Sequence, residues 1–179
     1  MDPLSQIISL LKPQAVGWRV IEAHDAWTIT FRPSNVVVFG QMIEGVGHVE
    51  REDGITFDLT AGDFLLMAAP PNWTMAGLGG GKAVDFKALI DNPGPLLSAN
   101  PSVITRFIAG NFIFDAANRD LIATLMLPIV HVKSSAVEAT RLGTLLATLG
   151  DEALADRPGR SLVLDRLLEV IMIESLREG

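Results

Sequence analysis

Three histidines, His24, His48 and His131, are the side chains here best suited to metal or proton chemistry, and cysteine is absent. A metal centre built on imidazole needs several histidines and a carboxylate brought together. His24 sits beside Asp25 in a turn. His48 follows Gly47 on a strand and, by alternation with Val49, points outward. His131 falls in the helical half of the chain. A hydrolase triad is no better supported, because no Gly-x-Ser-x-Gly elbow is present and the histidines lack an obvious serine partner. Gly77-Leu78-Gly79-Gly80-Gly81-Lys82 has the flavour of a phosphate loop. That pattern requires a glycine five residues before the last one and a Ser or Thr after the lysine. Ala76 and Ala83 stand at those positions, so the segment reads as a hairpin loop. Neither a metal nor a cofactor is expected.

Composition narrows the classes further. The chain has 179 residues, 49% of them hydrophobic, enough for one domain with a sizeable core or a small domain with a helical appendage. Its longest apolar runs fall short of the roughly 18 residues that spanning a bilayer requires. The segment Met1-Asp2-Pro3-Leu4 lacks the basic start and apolar centre of a secretory signal. With no cysteine there is no disulfide framework and no thiolate chemistry, so the cytoplasm is the expected compartment. Fourteen Lys and Arg against twenty-one Asp and Glu give a net charge of −7. Basic residues are scattered, so nucleic-acid binding by this chain alone is not expected.

The elements that would position any site begin with a short helix, in which Leu4, Ile7, Ile8 and Leu11 recur at helical spacing before Pro13. From Trp18 to Phe114 the pattern becomes short strands and turns. Val36 to Ile43 is a nearly continuous apolar strand. Val49 to Leu59 reads as a hairpin around Asp53-Gly54, a pair suited to positive φ. Phe64 to Ala68 and Trp73 to Leu78 flank a Pro70-Pro71 corner. Val84, Phe86, Ala88 and Ile90 alternate as a strand, a loop covers Asp91 to Pro101, and Thr105 to Phe114 is the last strand. So many short strands indicate a sandwich or barrel.

After Asp115 the period turns helical. Leu121, Ile122, Leu125 and Met126 form one face. Ser135 to Glu138 fits a capping box opening a helix that runs to about Asp156. Arg157-Pro158-Gly159 breaks it, and a final helix covers about Ser161 to Arg177. The chain therefore divides into a barrel with a short leading helix over 1–115 and a helical region over 116–179.

Several ordered stretches carry a family resemblance. Ala61-Gly62-Asp63-Phe64-Leu65-Leu66-Met67-Ala68-Ala69-Pro70-Pro71-Asn72-Trp73 has the layout of a cupin's second motif. Glu44-Gly45 looks like the end of the first. Asp2-Pro3-Leu4-Ser5, Gly110 to Asp115, Leu121 to Pro128, and Asp151 to Gly159 with Leu164 to Leu167 complete the order. Together they resemble the amino-terminal sensor domain of AraC-type transcriptional regulators. The resemblance implies a cupin-like jelly-roll barrel followed by an α-helical hairpin, mostly β with a helical appendage. It implies a small-molecule effector, a homodimer, and no enzymatic activity. It also implies DNA binding through a carboxy-terminal helix-turn-helix domain, which this chain is expected to lack. Where a cupin enzyme places a metal-ligating histidine, Trp73 stands here, and Phe31 to Val37, where the first-motif ligands would lie, holds no histidine.

Cupin alternation turns Phe31, Phe39, Gln41, Trp73 and Met75 into the barrel as candidate ligand-binding residues. Their apolar wall with few polar groups suits a small-molecule pocket, and plain packing is the alternative. Leu164, Leu167, Leu168 and Ile171 form the candidate dimer interface on the final helix. Two further readings stay open. One is a cupin isomerase or similar metal-free enzyme, for which only Glu44, Asp63 and Gln41 lie near. The other is a structural dimerisation module with a filled barrel.

Overall fold

Asp2 caps the first helix, α1 (Pro3–Leu11): its carboxylate accepts from the Ser5 N–H at 2.9 Å and the Ser5 hydroxyl at 2.6 Å. That satisfies an amide the first turn leaves free, and Pro3 suits the first helical position. Beyond it the computed structural model, which describes residues 1–24, 26–91 and 104–178, is dominated by strands. These are β1 (Gln14–His24), β2 (Thr28–Phe31), β3 (Val37–Glu44), β4 (Gly47–Arg51), β5 (Thr56–Leu59), β6 (Phe64–Ala68), β7 (Trp73–Ala76) and β8 (Ala83–Asp85). A short helix α2 (Phe86–Asp91) precedes β9 (Ile104–Ile113). Then follow α3 (Arg119–Leu125), β10 (Ile129–Val132), α4 (Ser134–Val137), α5 (Arg141–Leu154) and α6 (Arg160–Glu178).

The strands form two five-stranded sheets, in the orders β1-β9-β3-β6-β10 and β5-β4-β7-β2-β8. Neighbours run antiparallel except for the parallel pair β2–β8. The sheets face each other over one apolar core that includes Trp27, Ile29, Met42, Val49, Leu65, Met67 and Phe107. A second core lies on the outer face of the first sheet. There Val37, Phe64, Leu66, Ile108 and Phe112 meet Leu142, Leu146 and Leu149 of α5 and Leu164, Leu168 and Met172 of α6. Strands β3, β6 and β9 thus send successive side chains into opposite cores, as the period of two requires. The architecture is the cupin-like, sheet-rich fold with helices that the sequence order implied.

Polar ties fix the helices to the sheet. Trp18 Nε1 on β1 donates to Asp165 of α6 at 2.6 Å. Glu174, 7% exposed, is held by Arg177 at 2.7 Å and Arg141 at 3.5 Å, so its burial is compensated. Arg160 donates to the Glu152 and Ala153 carbonyls that the end of α5 leaves free.

Four local readings change. The strand expected over Val84 to Ile90 is three residues long, then becomes α2; Asp85 accepts from the Lys87 N–H at 2.9 Å, a local bond that competes with sheet pairing. His131 lies not in a helix but on β10, which pairs with β6 and extends the first sheet. The helix expected from the Ser135 capping box is two helices. Thr140 interrupts it, and its hydroxyl caps α5 by accepting from Gly143 N at 3.2 Å. Lastly, Leu164, Leu168 and Ile171 are fully buried in the chain's own second core, and Leu167 is half-buried against it. That stripe meets both β1 and α5, which accounts for its width. The loop read over Asp91 to Pro101 and the turn at Asp25 lie largely outside the described residues.

Candidate functional site

The register of β2 against β7 places Phe31 opposite Trp73, and the two rings stack with centroids 3.7 Å apart and planes 4° from parallel. Phe86, brought over by α2, stacks on Phe31 at 4.9 Å. This pile of three rings walls a cavity of about 270 Å³ between the sheets. Its other side is formed by Val38 and Phe39 of β3 and by Ala109, Gly110 and Asn111 of β9. Arg32, Ser34, Asp85 and Lys87 supply polar groups around it. The site is mostly apolar with a few polar groups, the usual constitution of a small-molecule pocket.

Of the three stacked rings, Trp73 is the one that carries a hydrogen-bond donor. It is 6% exposed, and its indole Nε1 is buried with no hydrogen-bond partner among the described residues. An indole N–H can only donate, so the position favours a ligand atom that accepts. Arg32 donates through Nε to Asp85 at 2.8 Å, and that hydrogen bond, with the Lys87 backbone N–H, holds the Asp85 carboxyl below the usual range. Asp85 is therefore an ionised, engaged acceptor at neutral pH and is poorly placed to act as a proton donor.

Of the residues singled out from sequence, Phe31, Trp73 and Met75 face the interior between the sheets. Phe39 and Gln41 do not. Both belong to the opposite phase of β3 and point toward the helices. Phe39 packs 4.8 Å from Phe112 in the second core, reaching the cavity lining where Gly110 offers no Cβ. A Cβ on Gly110 would stand 2.9 Å from Phe39 Cζ, closer than real contacts allow. Gln41 donates from Nε2 to the Leu146 carbonyl of α5 at 2.8 Å. Met75 packs in the interior core near Gly47. The groups that sequence reading passed over are Phe86, Lys87 and Asn111. A signal existed for the first two: Asp85-Phe86-Lys87 suits a capped turn as well as a strand.

The carboxylates an isomerase would need lie elsewhere. Glu44 accepts from Arg106 at 2.9 Å. Asp63, 3% exposed, accepts from the Thr60 and Ser134 N–H groups at 3.1 and 3.0 Å and contacts His131 Nε2 at 3.1 Å. Burial alone would raise Asp63, but the Ser134, Thr60 and His131 hydrogen bonds outweigh it and hold the carboxyl below its ordinary value. This knot ties the β5–β6 turn to β10 and α4, and neither carboxylate lines the aromatic cavity. His48 is exposed and pairs with Asp58 at 2.6 Å. Among the described residues no three His, Asp or Glu side chains converge in a metal-binding group.

The family model described as cupin matches residues 2–178. The chain belongs to the cupin family. Two curated relatives are named as AraC-like transcription regulators. That of Streptomyces lividans is 29% identical over 97% of this chain and 57% of its own length. That of Streptomyces antibioticus is 24% identical over 99% of this chain and 59% of its own. This cupin thus spans under two thirds of the relatives it matches. ToxT of Vibrio cholerae strain SCE256, solved with an unsaturated fatty acid bound, superposes with a TM-score of 0.50 at 8% identity. That match covers 90% of this cupin and 52% of ToxT, and shows a shared fold. Together these agree with the likeness to the cupin-like amino-terminal domain of AraC-type regulators. Among the described residues no helix is long and apolar enough to cross a membrane.

Proposed function

We propose that this cupin domain senses a small molecule in the cavity between its sheets, as the effector-binding domain of an AraC-type transcriptional regulator in the cytoplasm. One observation carries the reading: the stacked rings of Phe31, Trp73 and Phe86 wall a mostly apolar cavity of about 270 Å³, and the Trp73 N–H in that wall is buried without a partner among the described residues. The relatives' names support the regulatory role. ToxT, solved with a fatty acid bound, is a protein of this fold that takes a small molecule. DNA contact is assigned to sequence corresponding to the remainder of the longer relatives, since a chain of net charge −7 is ill suited to neutralising phosphates.

The same reading includes a homodimer. Leu164, Leu168 and Ile171 are committed to the internal core, so pairing is assigned to the opposite side of α6. Leu162, Val163 and Val170 stand 59%, 42% and 37% exposed there.

Thermal screening with a broad set of metabolites tests the sensing function. A ligand at 100 times its dissociation constant stabilises the folded state by about 2.7 kcal/mol. Trp73→Phe keeps the stacked ring and removes the N–H. It should weaken a hit by about 3- to 10-fold, the worth of one ordinary hydrogen bond. A screen without a stabilising compound, combined with a crystal structure whose cavity is filled by Phe31, Phe86 and Trp73, would defeat the sensor reading.

A further inference from the structure

We propose that a second binding site lies on the other side of β3, in the groove between that strand and α5, and that it takes a small organic amine. The groove has a volume of about 750 Å³ and is separate in place and in chemistry from the aromatic cavity.

Three independent observations converge on it. The first is Gln41, which lines the groove and is 2% exposed. Its Nε2 is spent on the Leu146 carbonyl, while its Oε1 is buried without a partner among the described residues. A buried amide oxygen left in this state favours a ligand that brings a donor. The oxygen is directed at α5, lying 3.9 Å from where a Cβ on Gly150 would stand.

The second is Gly150 itself. Glycine inside a helix is unfavourable relative to alanine, and tight packing often explains it. At Gly143 it does, since an added Cβ would collide with the Val137 carbonyl. At Gly150 the nearest atoms would be 3.8 and 3.9 Å away, ordinary contact distances, so packing does not demand glycine there. The glycine leaves room in the groove beside the unpartnered oxygen.

The third is charge. Glu44, Glu138 and Asp151 line the groove, and no Lys, Arg or His does. Glu44 is engaged by Arg106, while Glu138 and Asp151 have no ion pair among the described residues. Asp151 also lies in the last turn of α5, where the carbonyl end of a helix favours a cation. An acceptor that needs a donor, beside two uncompensated carboxylates, matches a protonated amine. It repels carboxylates and phosphates.

The test uses the whole chain and 1,4-diaminobutane as probe, with 1-butanol and butyrate as neutral and anionic counterparts. Amide and side-chain resonances are followed by two-dimensional NMR at physiological salt. The diamine should shift the Gln41 side-chain NH₂ and the Gly150 amide saturably, and the other two probes should not. Combined Glu138→Gln and Asp151→Asn, both on exposed side chains, should weaken the diamine at least 10-fold. Gly150→Leu should abolish the response by filling the groove. Trp73→Phe should leave diamine binding unchanged, which separates this site from the aromatic cavity. Equal shifts from 1-butanol or butyrate would overturn the proposal. So would an unaltered affinity in the charge variant, or shifts confined to surface acids that vanish at physiological salt.

Discussion

At Asp63 one carboxylate takes hydrogen bonds from Thr60, Ser134 and His131 in a site 3% open to solvent. Asp63→Asn should therefore destabilise the fold by about 1–3 kcal/mol at pH 7, read by urea unfolding. The sign with pH follows from linkage. The folded-state pKa lies below the ordinary value, so the stabilisation is complete above the unfolded value near 3.9 and fades as pH falls through the folded one. The gap between wild type and variant should narrow as pH falls below the unfolded value, and a gap that stays constant over that descent would contradict this account. The sequence exposed Gly62-Asp63 as a turn but gave no sign of its distant partners, His131 and Ser134, which lie 68 and 71 residues away. Trp73 was legible as the residue that sets this cupin apart. Its stacking on Phe31 depends on the β2–β7 register, which alternation alone does not fix.

Among the elements, α6 and β3 show why faces were harder to read than spans. The α6 boundaries agreed to within one residue of the expected Ser161 to Arg177, because Pro158-Gly159 punctuates the start. Its apolar stripe marked a contact without saying whether the partner was another chain or this one. Leu168, wholly buried between α5 and β1, should cost about 2–5 kcal/mol when cut to Ala. Leu168→Asp should unfold the chain outright. By contrast Val163→Asp, at 42% exposure, should leave the melting temperature within about 2–4 °C and convert a dimer to monomer in light scattering. Loss of fold in Val163→Asp would place that side of α6 in the core as well. The phase of β3 was misread for a related reason. Val36 to Ile43 is apolar apart from Gln41 because cores lie on both sides of the strand, so alternation carries no label for which face meets the barrel.

For the whole molecule, turns and short strands pointed to a sandwich or barrel and the motif resemblance implied the jelly roll, whereas the four-residue β10 was hidden between helical signals. Two bulk properties follow from the scattered histidines and the acidic surface. Elemental analysis after dialysis against a mild chelator should find less than one transition metal per chain, and duplex DNA should bind no tighter than a control protein of equal charge. Stoichiometric Fe, Mn, Ni or Zn lost on His48→Ala would overturn the first expectation. One further consequence lies in β3 being a party wall. Val38 lines the aromatic cavity, and three residues on Gln41 lines the groove against α5, so the two compartments share this strand. A shift of that strand on filling one compartment would carry over to the lining of the other. Free-energy linkage makes the effect reciprocal: if an effector loosens an amine's hold by some factor, the amine loosens the effector's by the same factor. If both compartments take ligands, the shared strand would make the occupancy of one depend on that of the other.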